Sequence, residues 1–342
     1  MNVFTNYLEK LGSNFLVSAM IPSLALVVAS MVAFEPIFHI SAMFQQKNNI
    51  YQLVSFGLFL IIPTVIIGFT LTALNTYVLK FFEGYVRLPK LGYIYNQRRN
   101  LHKAKARRLV IKREALKRHI ENIEKSLTTT ERMQRRLKKL KSDYYSTVAE
   151  YNHSYPPSPN DILPTRFGNI LKASELYPGI HYGMDGVEFW PRLIHVIAPP
   201  YRGTIDGARN ELSFLVNMSV LAAIFFIFCN LAVFYTMLIA PNNPVVVFGS
   251  AIRYGVSGTI ALACIFFFYN ASIFSVGSFG LMIRSAYDLF RLDLLKQFRL
   301  KMPSNYAEEF RAWKNLNEFI VLGEHSRGFT QFDYDDLDVK KE

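Results

Sequence analysis

The stretch NNIYQLVSFGLFLIIPTVIIGFTLTALNTYV, Asn48–Val78, holds no Asp, Glu, Lys, Arg or His. A helix of about 20 apolar residues crosses about 30 Å of hydrocarbon. In lipid the backbone must satisfy its own hydrogen bonds, which leaves the helix as the form for such a run. Three further windows lack charge in the same way: Leu11–Phe34, Leu212–Ile252 and Tyr254–Ile283. Together they predict four spans, about 14–34, 53–77, 213–239 and 256–281. The first window is longer than the apolar stretch of a signal peptide and is preceded only by Lys10, so it reads as a retained span.

The rest of the 342 residues is strongly basic, with a formal net charge of +12. Phe81–Leu212 carries 24 Lys and Arg against 13 Asp and Glu. The connections Glu35–Ile50 and Pro241–Gly255 are nearly bare of charge, holding Glu35, Lys47 and Arg253. Positive charge stays on the cytoplasmic side, most strongly close to a span, and Lys80, Arg87, Lys90, Arg98 and Arg99 follow the second span. The expected protein is all-α and polytopic. It has four transmembrane helices, a cytoplasmic helical hairpin, C-terminal helices and cytoplasmic termini. The expected segments are a first transmembrane hairpin (1–80), a basic hairpin (81–152), a juxtamembrane block (153–212), a second transmembrane hairpin (213–281) and amphipathic C-terminal helices with an acidic tail (282–342).

Within the basic hairpin, Leu109, Leu116, Ile120, Ile123 and Leu127 form one apolar stripe, and Met133, Leu137, Leu140 and Tyr144 a second. Both have helical period. Thr128 and Glu131 fit a capping box at the start of the second helix. From Arg98 to Lys141 there are 17 Lys and Arg and four Glu. Candidate partners are anionic lipids of the inner leaflet, a soluble acidic protein or nucleic acid. The absence of an aromatic stacking platform within the run weighs against nucleic acid. The plain alternative is a solvated helical face.

The block after Tyr151 contains LPTRFGN, ASELYP and YGMDGVEFWPRL, and AYDLFRLDLLKQFRLKMP follows the last window. These stretches resemble the signature of a family of uncharacterised bacterial four-span membrane proteins. The resemblance implies an architecture and a bacterial source, and no chemistry.

Three readings compete for Tyr182–Leu193. As an enzyme, Glu175, His181, Asp185, Glu188, Arg192 and His195 would supply general acid and base, but no nucleophile elbow, phosphate loop, HExxH or CxxC accompanies them. As a ligand site, Arg166, Lys172 and Arg192 would clamp a phosphate or nucleotide, with Tyr182 and Trp190 stacking on it. Asp185 would be a further contact, and backbone N–H groups at Gly168–Asn169 would meet the anion. As a structural elbow, Gly183 and Gly186 would turn the chain at positive φ, Asp185 would pair with Arg192 or cap a helix, and Trp190 and Tyr201 would sit at headgroup level. VEFW reads as a short strand or extended run before Pro191.

No ionisable residue lies in a span core, which argues against a proton-coupled pump. Asn230, Asn270 and Ser275 are the candidates for interhelical hydrogen bonds or a pore lining. Glycines and alanines in the fourth span favour assembly into a homo-oligomer. Cys229 and Cys264 lack metal-ligand spacing and read as small apolar core residues. No metal or cofactor is implied. The leading functional reading is a non-enzymatic, oligomeric membrane module. Its cytoplasmic part would bind a ligand, lipid or partner and couple it to a pore or membrane effector. The alternatives are a scaffold recruiting soluble proteins through the hairpin and a membrane-tethered enzyme.

Overall fold

The computed structural model describes residues 15–38, 50–86, 92–125, 130–239, 242–322 and 332. Among these the chain is helical and contains no strand. A π-helical turn, Leu16–Met20, leads into α1, Ile21–Phe38. There follow α2 (Ile50–Glu83), α3 (Gly92–Glu124), α4 (Glu131–Ser154), α5 (Arg166–Glu175) and α6 (Tyr177–Tyr182). The last four are α7 (Gly186–Val196), α8 (Pro199–Ile239), α9 (Pro244–Gln297) and α10 (Tyr306–Leu322). Four helical stretches are long and apolar enough to cross a membrane: Leu16–Glu35, Val54–Glu83, Pro199–Ile239 and Pro244–Gln297. The charge-free windows lie within or overlap them, but α8 and α9 extend well beyond the expected spans. α9 opens at Pro244, so Arg253 lies in a helix rather than in a connection.

The chain divides into two compact units. Unit 1 comprises Met1–Phe81 and Gly207–Ser275. Its interior is small and its surface is apolar. Phe34 stacks on Tyr254 with ring centroids 5.5 Å apart beside buried Cys229 and Ala232, while Phe69, Phe267 and Phe274 are exposed. An extensive exposed apolar surface marks contact with a membrane or another protein.

The prolines of α1 account for two polar ties in this unit. Pro22 has no N–H for the carbonyl of Ser18, four residues back. Asn217 of α8 donates its Nδ2 to that carbonyl at 2.7 Å. Pro36 likewise has none for Val32, and Arg253 donates to the carbonyls of Val32 (2.7 Å) and Ala33 (3.0 Å). Among the described residues the Oδ1 of Asn217 is buried without a partner.

Unit 2 comprises Phe82–Asp206 and Val276–Glu342. In it α3 and α4 pack against each other as a hairpin. Leu109, Leu116, Ile120, Ile123, Leu137, Leu140 and Tyr144 are half-buried, whereas Met133 is exposed. Lys141 reaches Glu124 at 2.7 Å across the pair. At the base, Ala106 packs with Tyr155 and Ile162. α4 begins at Glu131 with Thr130 at its cap and no side-chain cap bond, and Glu131 pairs forward with Arg135 at 2.9 Å. Thr128 and Leu127, the other expected contributors, lie outside the described residues, as does the acidic tail beyond Phe332.

The main core of unit 2 surrounds the last five turns of α9. Ala286, Tyr287 and Leu295 are fully buried there with Phe189, Leu193 and Trp313. The apolar face of the amphipathic helix at AYDLFRLDLLKQ is thus covered by α7 and α10. Trp190 and Tyr201 also turn inward. Trp190 lies 6.2 Å from the Tyr287 ring, and Tyr201 donates to the Met282 carbonyl at 3.1 Å. At the start of α10, Asn305 accepts from Glu308 N (3.0 Å) while Glu308 accepts from Ser304 N (2.8 Å). Each side chain satisfies an orphan donor, as the sequence N-x-x-E leads one to expect.

Candidate functional site

The block 162–193 is held from both ends. Thr165 caps α5, accepting from Gly168 N at 3.0 Å and donating to the Glu83 carbonyl at 2.9 Å. Asn169, fully buried, clasps the backbone of Leu163: it accepts from Leu163 N at 2.7 Å and donates to Leu163 O at 2.9 Å. The N–H groups of Gly168 and Asn169 therefore have little to offer an anion. Gly168 N and Asn169 N are already bonded to Thr165, the latter at 3.2 Å.

ASELYP spans the junction of α5 and α6. Pro178 lies in the first turn of α6, where its missing N–H costs nothing. α6 then stops at Gly183, whose φ of 79° is the left-handed cap conformation. Gly186 does not have positive φ among the described residues. It is glycine because a Cβ would stand 2.1 Å from the Glu175 carbonyl. VEFW is helical, not extended. Asp185 caps α7, accepting from Val187 N at 2.8 Å and Glu188 N at 3.0 Å.

Between this turn and α10 lies a cleft of about 390 Å³. Its polar lining is Lys172, Glu175, Asp185, Lys314 and Asn317, and its apolar wall includes Leu176, Met184 and Phe310. Asn317 Oδ1 accepts from Asp185 N at 3.3 Å. Lys172 meets Glu175 at 3.2 Å. Burial pulls the Lys172 ammonium down, but Glu175 and Tyr85 together outweigh it and hold its pKa above the ordinary value. Lys314 is exposed. The cleft thus presents two ammonium groups and two carboxylates beside a carboxamide, with Lys172 paired to Glu175 and Asp185 engaged as a helix cap. Such a set suits a small charged ligand.

Of the six expected ligand residues, only Lys172 and Asp185 line this cleft. Arg166 is exposed elsewhere. Arg192 folds back on its own helix, donating to Glu188 O at 2.6 Å. Trp190 is partly buried against the core. Tyr182 belongs to a second polar cluster, which the sequence reading missed. Tyr182 and Tyr177 both donate to Asp288 Oδ1, at 2.6 Å and 3.0 Å. Arg291 lies 4.2 Å above the Tyr182 ring and donates to Glu309 at 2.6 Å and to the Asp288 carbonyl. Arg284 lies over Tyr177 at 5.5 Å and donates to Asn152 O at 3.0 Å. Burial and the Asp288 carboxylate push the Tyr182 hydroxyl well above the usual phenol range. The signal was there: Arg284, Asp288 and Arg291 recur at steps of four and three on one face of α9.

The acid–base residues do not meet. His181 stacks on Tyr177 and bonds its carbonyl at 3.0 Å, Glu175 is paired with Lys172, and Asp185 caps. His195 is exposed. Among the described residues no group of His, Cys, Asp and Glu converges to hold a metal.

In unit 1, Asn230 and Asn270 are exposed, and each donates to a carbonyl of its own helix: Phe226 O at 2.7 Å and Phe266 O at 2.8 Å. Neither bond crosses to a second helix. Ser275 is buried. Asn217, not Asn230, makes the interhelical amide bond. Comparison of the chain with family models, curated proteins and solved structures finds no match.

Proposed function

We propose that this chain is a non-enzymatic, oligomeric integral membrane module. Its four apolar helices cross a bacterial cytoplasmic membrane, with the basic segment Phe81–Leu212, the C-terminal segment Gln297–Glu342 and the N-terminus on the cytoplasmic side. A small anionic ligand binds in the Lys172–Lys314 cleft and biases the arrangement of α9. The cationic excess of Phe81–Leu212 supports this orientation. One observation carries the coupling: fully buried Tyr287 of α9 donates its hydroxyl to the carbonyl of Gly186, a wall residue of the cleft, at 2.6 Å. A ligand that moves the turn at Gly183–Gly186 must move or break that bond. α9 contributes residues both to this core and to unit 1, so the bond is the natural point of transmission.

The test uses the full chain, purified in mild detergent and reconstituted in dye-loaded liposomes. A panel of phosphate esters and dicarboxylates is screened by thermal shift. A stabilising member is expected, and Lys314→Ala, at an exposed position, should remove its effect. The same compound should change ion efflux from wild-type liposomes but not from Tyr287→Phe liposomes, although it still binds. If no panel member stabilises the protein, or Lys314→Ala leaves the shift intact, the cleft is not the site. Equal efflux responses in wild type and Tyr287→Phe would refute the coupling.

A further inference from the structure

α3 has two apolar stripes, and only one of them faces α4. Leu109, Leu116, Ile120 and Ile123 are half-buried within the hairpin. Tyr93, Leu101, Ala104, Ile111 and Ala115 are all exposed. At 3.6 residues per turn these five fall within an arc of about 80°, an outward face they share with Gln97, Arg108, His119 and Asn122. Tyr93 is 79% exposed, Leu101 52% and Ile111 57%.

The charges around this stripe are sorted. Lys105 and Lys112 flank it on one side, and Arg107, Arg118 and Lys125 on the other, all exposed. Arg108 lies within it. The acids of α3, Glu114, Glu121 and Glu124, all lie about 100° or more from the centre of the arc. A polyanion read through its phosphates would not favour an apolar centre. A second copy of this face would bring cation against cation. An apolar stripe bordered by Lys and Arg is what an anionic bilayer surface accepts: the apolar side chains enter the acyl boundary and the cations snorkel to the headgroups. α3 also starts nine residues after the last residue of α2, one of the four apolar helices, so the chain tethers it near any bilayer that α2 enters.

We infer that the Tyr93–Leu101–Ile111 face of α3 docks on the anionic lipid surface of the membrane, and that Lys105, Arg107, Lys112 and Arg118 hold phosphate headgroups there. This rests on the reading of the four apolar helices as spans.

The experiment uses the full chain with Cys229→Ala and Cys264→Ala, carrying an environment-sensitive dye at Ile111→Cys. The protein is reconstituted in vesicles of phosphatidylcholine alone or mixed with phosphatidylglycerol. Retention of protein in the vesicles after an alkaline wash reports on the spans separately. The expected result is a blue shift, with quenching by a lipid-borne quencher, in the anionic vesicles only. A dye at Glu121→Cys, on the far side of α3, should show neither. Raising salt from about 0.1 M to about 1 M shortens the Debye length from about 10 Å to about 3 Å and should remove roughly half of the blue shift or more. Lys105→Glu with Lys112→Glu should do the same with helical circular dichroism unchanged. In washed vesicles that retain the protein, a dye at residue 111 that stays aqueous would overturn the inference. So would equal shifts in neutral and anionic lipid, or a shift that appears only on adding an acidic polypeptide or RNA. Protein lost in the alkaline wash would instead overturn the spans on which it rests.

Discussion

Gly168 and the carbonyl of Glu83 are pressed together: a Cβ on Gly168 would stand 2.1 Å from that oxygen. The same oxygen accepts the Thr165 hydroxyl at 2.9 Å. The last residue of α2 is thus fixed to the first turn of α5 by a contact that only glycine permits. Gly168→Ala must displace backbone rather than a flexible side chain. It should destabilise the protein by about 1–3 kcal/mol or more, read as a lower midpoint of thermal unfolding in detergent and as new protease cleavage between residues 155 and 185. Gly203→Ala is the control. It lies within α8 with nothing within 4 Å of the new Cβ, and should be neutral or stabilising by up to about 1 kcal/mol.

His102 gives unit 2 an acid sensitivity. Its Nδ1 lies 3.4 Å from the Tyr155 hydroxyl, and burial, followed by Lys105, Arg98 and Arg166, lowers its pKa below the ordinary imidazole value. In the unfolded chain the imidazole takes its proton near pH 6.5; in the folded chain it does so only at lower pH. The unfolded state then binds more protons, so stability falls as pH drops from about 6.5 toward the folded pKa. Thermal midpoints measured from pH 7.5 to 5 should decline, and His102→Gln should flatten that decline. An unchanged slope in His102→Gln would assign the acid sensitivity to other groups.

The charge-free windows made the apolar helices legible because lipid demands long uninterrupted apolar runs, and this constraint is read directly from composition. The heptad-like stripe of Leu109, Leu116 and Ile120 and the cap at Asn305–Glu308 were legible for the same reason: local spacing determines them. What escaped was set by tertiary contact. Asp185 reads as a ligand contact, an ion-pair partner of Arg192 or a helix cap, and only the N–H groups of Val187 and Glu188 select the cap. The inward turn of Trp190 depends on Tyr287, about a hundred residues away. The helix at VEFW overrode the local preference of the residue before Pro191, because the Asp185 cap and the burial of Phe189 and Leu193 outweigh it. The cleft itself needs α10, which no local pattern joins to Gly183.

Asn230 and Asn270 provide a test of assembly. Each bonds only to its own helix among the described residues and is exposed. Within one chain, replacing either amide by Leu removes no tie between helices. In an oligomer the same amides would face a neighbouring copy, where side-chain hydrogen bonds in membranes contribute about 0.6–2 kcal/mol each. Asn230→Leu with Asn270→Leu should therefore shift the mass distribution in mild detergent toward the monomer, while the unfolding midpoint of the monomer is unchanged. A distribution identical to wild type would exclude both amides from the subunit interface.

The Pro22–Asn217 relationship can be tested by a double-mutant cycle. Asn217 meets the Ser18 carbonyl at 2.7 Å because Pro22, four residues on, has no N–H to give it. Pro22→Ala restores that donor, and the π-helical turn at Leu16–Met20 gains the bond it lacks to continue as regular helix. The amide of Asn217, whose Oδ1 is already buried without a partner among the described residues, then has less to offer. Asn217→Leu should accordingly destabilise the wild type more than the Pro22→Ala protein, with a coupling of about 0.5–3 kcal/mol as for residues in direct contact. The cycle is read from thermal midpoints of the four proteins in one detergent. Additive effects within about 0.3–0.5 kcal/mol would mean that the Ser18 carbonyl does not depend on Asn217, and that Asn217 is placed for another purpose.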